Sequence, residues 1–144
     1  MITYPMTFKV SSDARSGIAS NWETRAEAQD VPVPVSIPPE FAGPGGGYSP
    51  EDLYAAALTN CFVATFKVFA EKSKITFDRV QVKSELTVDR DEKGAPWMKA
   101  IHLHISLQGA SDAERARHLL EKTSQSCMIL NSVKTAKTFD FSVG

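Results

Sequence analysis

The sequence predicts an α+β fold, with antiparallel sheets around one long buried helix. Three observations carry this expectation. An almost continuous apolar run over residues 49–72 has a marked helical start and end. Two alternating segments, 75–89 and 97–107, flank a polar turn. A capped second helix then precedes a last alternating strand, so strands and helices are segregated rather than strictly interleaved.

In chain order, Thr3 to Val10 alternates through Tyr4, Met6, Phe8 and Val10 and reads as a first strand. Ser11 to Gly17 is a turn by composition, with Ile18 to Thr24 as its return strand. Val31 to Ile37 alternates valines, but Pro32 and Pro34 confine it to an edge. Pro38 to Tyr48 is a loop. Its Gly45-Gly46-Gly47 is expected to let the chain pass close to another backbone, and no Lys-Ser/Thr follows to make a phosphate loop.

The long helix starts with Ser49 as cap and Pro50 in the first position. Glu51 and Asp52 favour the positive end of its dipole, and Lys72 and Lys74 mark its end. Tyr54, Ala57, Leu58, Cys61, Thr65 and Val68 share one face, while Ala55, Phe62, Phe66 and Phe69 fill the next. A helix apolar almost all round is expected to be buried. Its polar ends, with Thr59, Asn60 and Lys67 inside, argue against a membrane span.

After the hairpin, whose second strand sets Ile101, Leu103, Ile105 and Leu107 against His102, His104 and Ser106, Ser111-Asp112-Ala113-Glu114 carries the capping-box pattern. A helix is expected from there to about Ser124. Cys127 to Val133 reads as a second helical piece capped by Ser126, and Thr138 to Val143 as the closing strand.

At 144 residues, with no linker or repeat, the chain is expected to form a single domain over 1–144. A net charge of −1 gives no footprint for nucleic acid, and no lipid or membrane motif stands out. Met1 to Val10 lacks the basic and apolar regions of a signal peptide, so a cytoplasmic location is expected. In that reducing compartment a lone pair of cysteines, Cys61 and Cys127, is either catalytic or simply buried. The residues alone leave both readings open. Arg15 by itself is a loop charge, and Glu51 an ordinary first-turn carboxylate. His102 and His104 share a strand face, but with the cysteines they match no zinc spacing, so no metal and no cofactor are expected.

The run Ser49-Pro50-Glu51-Asp52-Leu53-Tyr54-Ala55-Ala56-Ala57-Leu58-Thr59-Asn60-Cys61-Phe62, with the glycines before it, resembles the central-helix motif of the OsmC/Ohr family, the osmotically inducible and organic hydroperoxide resistance proteins. Cys127-Met128-Ile129-Leu130-Asn131 resembles the family's second cysteine motif, with Met128 where proline usually follows the cysteine. Asp13-Ala14-Arg15-Ser16-Gly17 is similar to its Arg-x-Gly loop, with Arg25 as the rival arginine.

The resemblance implies an intertwined dimer and a thiol peroxidase. In that reading Cys61 attacks an organic hydroperoxide and becomes a sulfenic acid, and Cys127 closes a disulfide. A dithiol, such as a lipoylated protein, restores both thiols. A free cysteine ionises near pH 8.5 and an apolar site raises that further, so a cation is required. Cys61 stands too far into its helix for the dipole to serve. The resemblance assigns that cation to Arg15 and its supporting carboxylate to Glu51. Leu53, Tyr54, Phe62, Phe66 and Ile129 would form an apolar substrate lining. Ten residues of helix separate Glu51 from Cys61 by about 15 Å. Two antiparallel helices from two copies would therefore bring Glu51 of one chain to Cys61 of the other. The alternative is a non-catalytic dimer that holds an apolar small molecule, with inert cysteines.

Overall fold

The computed structural model describes residues 2–144, which form two compact units divided between Leu53 and Tyr54. The α+β class holds, with two three-stranded sheets and one long helix.

The first unit carries the antiparallel sheet β1 (Val10–Asp13), β2 (Trp22–Ala26) and β3 (Val33–Val35). The strand expected over Thr3 to Val10 starts only at Val10 and runs into the expected turn. Before Val10 the alternating apolar residues Tyr4, Met6 and Phe8 find no strand partner among the described residues, and Phe8 stays 83% exposed. Alternation marks a segment suited to a sheet, but pairing decides where the strand forms. The glycine loop behaves as expected. Tyr48 donates its N–H to the Pro34 carbonyl and Ser36 donates to Tyr48, so two backbones run side by side. A Cβ on Gly47 would come within 3.0 Å of the Pro34 carbonyl.

The helix α1 (Pro50–Lys72) has the predicted bounds. Ser49 Oγ accepts from the Asp52 N–H, and Asp52 Oδ2 accepts from the Ser49 N–H, closing a reciprocal cap. Pro50 takes the first position, where no N–H partner is needed.

The second unit packs α1 residues onto a sheet of β4 (Arg79–Arg90), β5 (Pro96–Gln108) and β6 (Ala136–Val143). The buried stripe is Leu58, Phe62, Phe66 and Ala70, and Val68 is exposed. The inward face thus centres on the phenylalanines rather than on the Tyr54–Val68 set, and α1 is buried along one stripe, not all round. By length and composition α1 is apolar enough to cross a bilayer; here its stripe fills a protein core.

The all-antiparallel expectation fails at one edge. β4 and β5 pair antiparallel, but β5 and β6 pair parallel. The helices α2 (Ala113–Ser126) and α3 (Met128–Asn131) form the long crossover that a parallel pair requires. Two caps also differ from expectation. Asp112, not Ser111, caps α2 by accepting from the Arg115 N–H, while Ser111 Oγ accepts from the Thr76 N–H. Ser126 ends α2, and Cys127 takes the cap position of α3.

Phe62 is completely buried and lies 6.0 Å from the Phe139 ring and 6.3 Å from Phe141. Phe62→Ala should therefore lower stability by about 3–5 kcal/mol. The check is a urea unfolding curve, and a midpoint unchanged from wild type would contradict this packing.

Candidate active site

In the second unit α1 and the α2–α3 junction bring two thiols together. Cys61 is half-buried on α1, and Cys127 is completely buried at the break between α2 and α3; both are free. That break sets the geometry. Cys127 has φ −72° and ψ 113°, an extended residue between two helices, so the chain turns there and α3 begins at Met128. The turn aims the N–H of Ile129 at Cys61 Sγ, across 3.4 Å. Met128 occupies the first position of α3, the one helical position where proline costs nothing. Methionine and proline are thus both accommodated there, which explains how the second cysteine motif keeps its shape without proline. Met128 itself is 70% exposed.

The two thiols have different surroundings. Cys127 is pushed up to about 12 by burial, partly offset by the Thr65 hydroxyl; the neighbouring Cys61 adds to the rise. Its thiol donates to the Thr123 carbonyl at 3.1 Å. At neutral pH Cys127 therefore keeps its proton. Cys61, in contrast, receives a backbone N–H on its sulfur, and it has some exposure to solvent.

The predicted apolar lining divides. Tyr54 is half-buried, with its hydroxyl 2.6 Å from Thr135 Oγ1, and Ile129 is exposed beside Cys61. Leu53, the last residue of the first unit, is half-buried. Phe62 and Phe66 must be corrected: both are completely buried, Phe66 with its ring 5.3 Å from Phe77, and they support the core without offering a substrate surface. Sequence reasoning missed the Ile129 amide, Thr65 and Thr123. Thr65 is one helical turn from Cys61 and Thr123 one turn before Cys127, a spacing that marks each as a neighbour once the thiols are known to meet.

Arg15 and Glu51 lie in the first unit. Arg15 is exposed and lines a polar cavity of about 500 Å³ together with Asp13, Trp22, Glu23 and Arg25. Arg25 donates from Nη1 to the Asp30 carbonyl at 2.8 Å and so ties down its own hairpin. Glu51 presents a buried Oε1 with no hydrogen-bond partner among the described residues. Such an orphan costs about 1–3 kcal/mol, more for a charged group, until a donor meets it.

The histidines take no part in this site. His102 and His104 alternate with the core residues Leu103 and Ile105 and project from the opposite face of the sheet, so no joint site with the buried Cys127 forms.

A family model described as OsmC-like protein matches residues 43–142. An organic hydroperoxide resistance protein of Xanthomonas axonopodis pv. citri is 28% identical over 130 residues, covering 88% of this chain and 89% of that protein. Among solved structures, an OsmC-like protein of Vibrio cholerae superposes with a TM-score of 0.83 at 14% identity, over 95% of this chain and 99% of the other. An organic hydroperoxide resistance protein OsmC of Legionella pneumophila does so with a TM-score of 0.72 at 26% identity, over 99% of both chains.

Proposed function

The chain belongs to the OsmC-like family, and on that premise we propose that it is a cysteine-based peroxidase of organic hydroperoxides, acting as a homodimer in the cytoplasm. The observation that carries this reading is the meeting of Cys61 with Cys127 at the α2–α3 break. The name of the Xanthomonas relative supports the substrate class.

In the proposed cycle the Cys61 thiolate attacks the distal oxygen of the hydroperoxide. The S–O bond forms as the O–O bond breaks, sulfur is oxidised to the sulfenic acid, and the alkoxide leaves as the alcohol after taking a proton. The Ile129 N–H supports the sulfur's negative charge before attack. Cys127 then attacks the sulfenic sulfur, its own proton and the hydroxyl leave as water, and a disulfide remains. An external dithiol reduces it by exchange; a lipoylated protein is the proposed donor. Exposed Ile129, with Tyr54, would favour an organic over an inorganic peroxide.

Arg15 and Glu51 complete the proposed site as an ion pair that steadies the thiolate. The orphan Glu51 oxygen supports this, since a guanidinium would satisfy it. Arg15 is preferred to Arg25, which is engaged by Asp30. Glu51 and Cys61 stand about 15 Å apart on one helix, so a second, antiparallel copy would bring Glu51 of one chain to Cys61 of the other. The exposed Tyr4, Phe8 and Val10 support such a copy.

The deciding test counts free thiols before and after cumene hydroperoxide or hydrogen peroxide. Both thiols of each chain should disappear, faster with the organic peroxide. Retention of both thiols would overturn the peroxidase reading and favour a dimer that binds an apolar molecule.

A further inference from the structure

On the outer face of the second unit's sheet, far in kind from the thiol chemistry, three side chains converge. His102 and His104 project from β5, and Asp140 projects from the adjacent β6. Asp140 Oδ2 lies 2.8 Å from His102 Nε2 and 2.6 Å from His104 Nδ1, so one carboxylate oxygen receives both imidazoles. One ligand atom from each of the three lies within 4.8 Å of the others.

We propose that His102, His104 and Asp140 bind a divalent transition-metal ion of the zinc class. The remaining ring nitrogens give the argument its strength. His102 Nδ1 meets Thr138 Oγ1, and His104 Nε2 faces Glu85 Oε1 at 3.5 Å. Each imidazole therefore has one nitrogen directed at an orienting oxygen and the other at the shared carboxylate. Metal-binding histidines are held in this way, with the outer partner fixing ring orientation and tautomer. Two imidazoles and one carboxylate suit a borderline ion such as Zn2+, and a water fills the fourth position.

Binding requires the three ligand atoms, which now lie within 4.8 Å of one another, to rearrange around the ion. Zinc bonds of about 2.0–2.2 Å separate tetrahedral ligands by about 3.3 Å. The two N–O separations open to reach this value and the two nitrogens close toward it, the ion taking the place of the N–O hydrogen bonds. Side-chain exposures of 34% for His102, 41% for His104 and 56% for Asp140 give the ion access from solvent. Bound there, it ties β6 to β5 at the parallel pair.

The test is a Zn2+ titration of the full-length wild-type protein followed by long-range 1H–15N spectra of the imidazoles. Signals of His102 and His104 should move and saturate near about one equivalent, while the third histidine, His118, stays in place. Equilibrium dialysis should show the affinity of this site falling at least about tenfold in Asp140→Asn and in Thr138→Val. Unmoved His102 and His104 signals, with any zinc held by Cys61, would overturn the proposal, as would undiminished affinity in Asp140→Asn.

Discussion

Cys61→Ser is expected to abolish hydroperoxide turnover, by at least about a thousandfold, because removing an attacking nucleophile removes the covalent step itself. A serine hydroxyl does not ionise near neutral pH and does not form a sulfenic acid. The fold should survive the change. Serine keeps an acceptor for the Ile129 N–H, and position 61 lies at the margin of the core, with the fully buried Phe62 untouched. The measurement is steady-state loss of cumene hydroperoxide with a dithiol donor, alongside a melting curve. Normal turnover by a folded Cys61→Ser protein would leave Cys61 as ordinary helix lining.

Cys127→Ser should separate the two halves of the cycle. The first oxidation should proceed at close to the wild-type rate, with one thiol lost per chain. Turnover should then stop, and further peroxide should carry Cys61 to the sulfinic acid, detected as the mass of two added oxygens. Undiminished repeated turnover would remove Cys127 from the mechanism. The wild-type protein should also show the state of Cys127 through pH. Burial holds the Cys127 proton well above the ordinary thiol range, so at pH 7 Cys127 is overwhelmingly the neutral thiol. Since the raised group gains thiolate as pH rises, disulfide closure from the sulfenic acid should accelerate by about tenfold per pH unit through the neutral and alkaline range. Rapid-quench measurement of disulfide formation checks this; a flat profile would mean that the Cys127 proton is lost by another route than simple ionisation.

Much of this arrangement is local and was therefore readable. The α1 bounds follow from Ser49, Pro50 and the acidic first turn, which act within four residues of each other. The hairpin of β4 and β5 follows from period-two alternation on both sides of a polar turn. The cysteine pair was readable only through motif resemblance, because their meeting depends on contacts 66 residues apart in sequence. Other features lay beyond local rules. Ser111 and Asp112 both suit a cap, and what separates them is that Ser111 is taken by the Thr76 N–H, a long-range partner. Phe62 and Phe66 look alike as substrate lining and as core; burial against Phe139, Phe141 and Phe77 decides for core.

Local signals in the chain were enough for the α+β class, the long capped helix and the two thiols on helical pieces, because caps, periodicity and residue chemistry act over a few residues. Tertiary structure alone decided that β6 runs parallel to β5, that the α2–α3 break turns the Ile129 amide onto Cys61, and that one carboxylate receives two histidines. Each of these depends on which distant segments pack together, and that choice is settled by burial summed over the whole core.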